Sequence, residues 1–204
     1  MKDEKETKKH LLKCAKQEFI EKGYMSASLR NICKNAGVTT GALYFFFKDK
    51  EDLFASLVEE PLNSLYQVMI QHYSDELAEL AQGESDASDD TNDREAFGQI
   101  IHYLYQYYDE IQLILTKSQG SRFQNSLNQF VEISEKHYRI MADVVCEQRQ
   151  IPKLDDYMIH WLAHMLIDAF VHMFLHEKSE KEALKHVDSI MKYLMHGWYG
   201  LYTI

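Results

Sequence analysis

The chain has 204 residues, 46% of them apolar, enough to bury one substantial core or a small domain packed against a larger one. No run approaches the roughly 18 uncharged apolar residues of a membrane span, and the charged start Met1–Glu6 leads into no apolar signal core, so a soluble, cytoplasmic protein without a membrane partner is expected. The formal net charge of −10 speaks against a polyanionic partner only until its distribution is counted: residues 1–50 hold 11 Lys/Arg against 6 Asp/Glu, leaving 11 against 26 in the remainder, a basic head on an acidic body.

Two prolines, eight glycines and no alternating β-branched run leave little material for sheet, so an all-α fold of about nine helices is expected. Leu11, Leu12, Ala15, Phe19 and Ile20 recur at helical spacing over about 6–22, and Gly23 offers a left-handed stop. Ser28 can cap a second helix with the apolar face Leu29, Ile32, Cys33 and Ala36, closed by Gly37. Thr39 can cap a third short helix, and Asp49 a fourth that runs from Lys50 towards Leu80, kinked but not ended by Pro61. Residues 83–93 contain no large apolar side chain and read as a solvated loop. Further helices are expected near 94–107, 109–118, 121–149, 155–177 and 180–199, separated by Gly120, Pro152 and the Lys178-Ser179 turn. The domain division that follows is 1–50 for the head and 51–204 for the body, with helix four (about 50–80) as the link. Cys14, Cys33 and Cys146 are odd in number and widely spaced, as reduced half-buried thiols would be.

Residues 28–46 have the layout of a DNA-reading helix-turn-helix: two short helices, a tight turn at Gly37, and a second helix that keeps Val38 and Leu43 inward. The small side chains of Thr39, Thr40 and Gly41 leave its start unobstructed, and the helix N-terminus favours phosphate.

The string Gly23-Tyr24, Ser28-Leu29-Arg30-Asn31-Ile32, Ala36-Gly37-Val38-Thr39-Thr40-Gly41-Ala42-Leu43-Tyr44-Phe45-Phe46-Phe47 and Lys48-Asp49-Lys50-Glu51-Asp52-Leu53 closely resembles the N-terminal signature of TetR-family transcription regulators, sharply over residues 8–60. The resemblance implies a three-helix DNA-binding domain, a larger helical domain for ligand binding and dimerisation, and a repressor that leaves a palindromic operator when a small molecule binds. It implies a DNA-binding role for Ser28, Arg30, Thr39, Thr40, Gly41, Tyr44, Phe45, Lys48 and Lys50: phosphate contacts from Ser28, Tyr44 and Lys50, groove contacts from Thr39, Thr40 and Gly41, base or phosphate contact from Arg30, and added charge from Lys48. The bland alternatives are a core-capping Tyr44, a solvated Arg30 and a Thr39 that is only a helix cap. Phe45 and Phe46 depart from the family, which often places hydrogen-bonding aromatics there, so their contacts must turn apolar or vanish. Ala27 stands where threonine is common.

A single helix-turn-helix reads few bases, so a homodimer on two half-sites is expected, with the last two helices as its seam through Leu162, Leu166, Phe170, Phe174, Leu184, Val187, Met191 and Leu194; the alternative is that these stripes fill the chain's own core. The aromatic-rich body suggests a pocket for a moderately lipophilic effector of unknown identity, with Tyr105, Phe123, Tyr138, Met141, Trp161 and Met165 as candidate lining. His160, His164, Asp168, His172 and His176 stand four apart, which raises a metal-responsive regulator, but successive steps drift about 40° around a helix and cannot all converge. No metal and no cofactor is expected. Glu-x-x-His pairs, Gly-x-Ser-x-Gly, a Walker loop and His-Glu-x-x-His are all absent, so no enzyme is expected; a helical protein-interaction module without DNA binding is the other alternative.

Overall fold

In a computed structural model, residues 2–82 and 91–202 are described. They form nine α-helices and no strand among the described residues: α1 (Lys2–Ser26), α2 (Leu29–Ala36), α3 (Thr40–Phe46), α4 (Lys50–Gln82), α5 (Thr91–Gln106), α6 (Tyr108–Lys117), α7 (Ser126–Arg149), α8 (Asp156–His176) and α9 (Glu180–Gly200). The all-α expectation holds, with an N-terminal helix-turn-helix in α2 and α3.

Local chemistry sets the short helices. Ser28 is extended and its Oγ accepts from Asn31 N, while Gly37 at φ 67° closes α2 by donating to Cys33 O and Lys34 O. Thr39 Oγ1 accepts from Ala42 N at 3.2 Å to start α3, and Asp49 Oδ1 accepts from Asp52 N at 2.8 Å to start α4. Gly23 has positive φ but an extended ψ of 164°, so α1 breaks there yet resumes through Ser26, beyond the stop expected at Gly23.

Two other boundaries differ from the sequence reading. The loop expected over 83–93 gives way to helix at Thr91; residues 83–90 lie outside the described residues. The helix expected from 121 starts at Ser126, because hydroxyls hold turns before it: Ser118 Oγ donates to Ile114 O, and Ser121 Oγ donates to Ser118 O and accepts from Phe123 N. The cysteines are fully buried rather than half-buried, and burial pushes the Cys33 thiol up from its ordinary value.

The chain divides into two compact units, Met1–Ser64 with Tyr107–Ser126, and Leu65–Gln106 with Leu127–Ile204. In the first, Phe54 meets Phe19, Tyr24 and Phe123 at ring-centroid distances of 4.9, 5.2 and 5.9 Å, around the fully buried Leu11, Ile32, Leu43 and Leu53. The second has three apolar clusters: Met69, Tyr73, Val131, Ala163 and Ile167; Ile101, Met173, Ala183, Val187 and Met191; and Ala142, Cys146, Ile159 and Tyr202.

By length and composition α8 is apolar enough to cross a membrane, against the expectation that no run is, because a single charge, Asp168, interrupts it; here its Ile159, Leu162, Ala163, Leu166, Ile167, Met173 and Phe174 are buried in the protein. The stripes expected to form a dimer seam are therefore largely core. Leu162, Leu166, Phe174, Val187 and Met191 are buried within the chain, and the apolar side chains these two helices leave exposed are Tyr157, Trp161, Leu175, Leu184 and Tyr193.

Candidate nucleic-acid interface

The helix-turn-helix stands on a rigid footing. Buried Glu18 of α1 accepts from Ser28 N at 3.1 Å and, at a longer 3.5 Å, from Asn31 Nδ2, tying α1 to the start of α2. Glu51 at the start of α4 accepts from Tyr24 OH at 2.8 Å with one carboxylate oxygen and from Arg122 N at 3.0 Å with the other. Burial, then the hydrogen bond to Glu51, pushes the Tyr24 phenol up to about 12. Arg122 also reaches Glu59 at 2.6 Å, and Lys16 of α1 bridges Asp109 and Glu110 of α6, both at 3.0 Å.

On this footing α3 shows two different sides. Leu43, and Phe47 just past its end, are buried, whereas Thr39, Thr40, Gly41, Tyr44 and Phe45 are exposed, Tyr44 by 56% and Phe45 by 72%. Phe45 packs edge-on against Phe46 at 5.0 Å and otherwise presents an uncovered apolar ring. A Cβ on Gly41 would meet nothing closer than Thr39 Oγ1 at 3.7 Å, so the bare backbone there is not demanded by the protein's own packing. Arg30 of α2 and Lys48 beyond α3 are exposed. Ser28 and Lys50 are half-buried. The Lys50 ammonium donates to Met25 O at 3.1 Å and lies 4.9 Å from the Tyr24 ring centroid; burial lowers its proton affinity, against the pull of Glu18. Thr39 caps its helix, which accounts for its hydroxyl in the free protein.

The six candidate pocket residues divide between the two units. Phe123 packs on Phe54 in the first unit. In the second, Tyr105 OH donates to Glu177 O at 3.0 Å, Tyr138 stacks on Trp198 at 5.2 Å, Met141 and Met165 are half-buried and Trp161 is 47% exposed. A small apolar cleft, partly open to solvent, is lined by Phe97, Ile101, Ala169, Phe170, Met173, Val187 and Ile190.

The histidine line of α8 splits into pairs. His160 and His164 meet at 4.5 Å, with His160 also engaged by Glu135, and His172 stacks on His176 at 4.0 Å. Among the described residues no three His, Cys, Asp or Glu side chains gather as a metal-ligand set.

Sequence reasoning missed Glu18, Glu51, Arg122 and Lys16, whose partners lie 10 to 94 residues away and leave no local pattern. It also missed a polar cluster around His137; the signal available was a histidine one turn from Ser134 on an otherwise apolar face.

The family model for bacterial regulatory proteins of the tetR family matches residues 11–57, the span that holds this interface. The HTH-type transcriptional regulator AcrR of Shigella flexneri is 40% identical over 67 residues, covering 33% of this chain and 31% of AcrR. The matched stretch thus spans about a third of the length of such curated relatives, 31% of AcrR and 32% of the repressor BepR of Brucella suis. Likeness to solved structures runs the length of the chain at low identity. NalD of Pseudomonas aeruginosa, the secondary repressor of the MexAB-OprM multidrug efflux pump, superposes with a TM-score of 0.59 at 19% identity over 97% of this chain and 98% of its own, which establishes a shared fold. The α1–α4 segment thus carries the signature of the tetR family of bacterial regulatory proteins, and the chain as a whole shares the fold of NalD.

Proposed function

We propose that the chain is a transcriptional repressor that holds a palindromic DNA operator as a homodimer and releases it when a small molecule binds the body. The observation that carries this reading is the exposed face of α3, Thr39, Thr40, Gly41, Tyr44 and Phe45, opposite a fully buried Leu43. Such a helix is shaped to enter a major groove: its core side fixes its orientation and its polar side meets base edges and phosphates. Arg30 and Lys48 add exposed positive charge, Ser28 and Tyr44 add hydroxyls for phosphate oxygens, and Lys50 trades the Met25 carbonyl for a phosphate. Phe45 has no donor, so its contact is with a thymine methyl or a deoxyribose. The uneven charge supports the same assignment, since an acidic body repels DNA in every orientation but the one that presents the basic head.

The operator spans two half-sites because one α3 reads too few base pairs, and the second copy docks through the exposed apolar residues of α8 and α9, Trp161, Leu175, Leu184 and Tyr193. Release follows from differential affinity: an effector that prefers a body geometry with mismatched recognition helices shifts the dimer away from DNA. The Lys16 bridge to Asp109 and Glu110 binds α6 to α1, and the Arg122 bridge to Glu59 binds the turn after α6 to α4, so any displacement of α6 reaches α1. Selecting fragments of the host genome on the purified chain tests the reading. An inverted repeat protected as two half-sites is expected, whereas no enrichment at low ionic strength contradicts it.

A further inference from the structure

The second unit carries four polar side chains inside an apolar cluster. Tyr73 and Glu76 come from α4, Ser134 and His137 from α7, each pair three residues apart and so on one helix face. Tyr73 OH and Ser134 Oγ share a hydrogen bond of 2.9 Å, and the His137 ring lies flat on the Tyr73 ring, centroids 3.9 Å apart and planes within 1°. His137 Nε2 is 2.8 Å from Glu76 Oε2, and His72 Nε2 approaches the same oxygen at 3.4 Å. Met69, Val131, Ala163 and Ile167 form the buried wall, with half-buried Phe130 and Tyr138 at its rim.

Ser134 is fully buried and His137 is 5% exposed, yet His137 Nδ1 has no protein partner. Nitrogen Nε2, facing a carboxylate, carries the ring proton and donates it. In that tautomer Nδ1 carries a lone pair and can only accept. Buried acceptors in folded proteins are almost always satisfied, so an open one inside a ligand-binding body points to a group supplied from outside. We infer that His137 Nδ1 is the anchor of the effector site, and that the effector is an apolar molecule bearing a hydroxyl or amine that donates to it, not a carboxylate.

Apolar walls select the body of such a molecule, and the anchor selects its head. A carboxylate offers no proton to Nδ1 and is repelled by the half-buried Glu76. A hydroxyl gains one hydrogen bond, and an ammonium gains the bond together with attraction to Glu76. The half-buried rim allows entry by side-chain rotation without unfolding either helix. This inference rests on the ligand-released repressor reading, and it adds the chemistry of the ligand.

The test uses the full chain, labelled with ¹⁵N at histidine, and three eight-carbon probes: octan-1-ol, octylamine and octanoate. Titration calorimetry gives affinities, and long-range ¹H–¹⁵N correlation spectra follow His137, assigned by the signal lost in His137→Phe. That variant keeps the ring on Tyr73 and removes both nitrogens; if it does not fold, the assignment comes from the signal displaced in Glu76→Gln. Octan-1-ol or octylamine should bind at least tenfold more tightly than octanoate and move the Nδ1 resonance, and His137→Phe, where folded, should abolish the preference. Equal or tighter octanoate binding, or an Nδ1 resonance that neither donor moves, overturns the inference and leaves the acceptor to a buried water. If other compounds release DNA while Nδ1 stays unmoved, the repressor reading survives and this site alone is lost.

Discussion

The two compact units bury polar groups in opposite ways. In the first, Glu18, Ser118 and Ser121 are buried and each is matched locally: Glu18 to Ser28 N, the two serines to carbonyls three and four residues back. In the second, Ser134 and His137 are matched to side chains 61 residues away in sequence, and one ring nitrogen is matched to nothing. A buried polar group satisfied by backbone fixes one geometry, whereas one satisfied by another side chain, or left open, keeps alternatives within reach. A reader of DNA needs the first property and a sensor needs the second. The contrast also predicts where each unit is fragile.

The largest effect should come from the aromatic centre of the first unit. Phe54 touches three rings, and Phe54→Ala should cost about 3–5 kcal/mol, seen as a large fall in the denaturant midpoint. In the second unit, Tyr73→Phe leaves the ring stack on His137 but strips Ser134 Oγ of its oxygen partner, leaving it the long contact to Met69 Sδ at 4.0 Å, and should cost about 1–3 kcal/mol by the same measurement. A Tyr73→Phe loss equal to that of Phe54→Ala would erase the distinction. Thr39→Ala removes the cap of α3 and should cost about 1 kcal/mol, with loss of amide protection at Ala42. The smallest effect at neutral pH, and a distinct one at high pH, belongs to Tyr24. Its phenol is raised from 10 to about 12, so between those values the folded chain keeps a proton that the unfolded chain has released. Stability therefore falls as pH rises through this window, and Tyr24→Phe should flatten that decline in a pH series of melts.

The first unit was more legible in sequence than the second for the same physical reason. Ser28, Gly37, Thr39 and Asp49 act within three or four residues of themselves, so caps and turn could be read from spacing. Tyr44 and Phe45 could be placed on the exposed side of α3 once Leu43 was placed inside. The stripe along α8 and α9 was read correctly as apolar but could not be assigned between core and seam, because a helix shows its apolar face to sequence without showing what covers it. The six candidate pocket residues rest on residue type, and type does not fix direction: Trp161 is 47% exposed, and Phe123 folds with the other unit. The Tyr73–Ser134 and Glu76–His137 pairs join helices distant in sequence, so only the fold reveals them.

The central claim, that the open side of α3 and its flanking basic residues grip duplex DNA, is tested most directly by the salt dependence of binding to a genome-selected fragment. Wild type should lose affinity linearly in log–log form as salt rises, and Lys50→Ala should reduce that slope by about 1 while weakening all sequences alike, as should Tyr44→Ala for affinity. Salt-independent binding, or affinities in both variants equal to wild type, would contradict it.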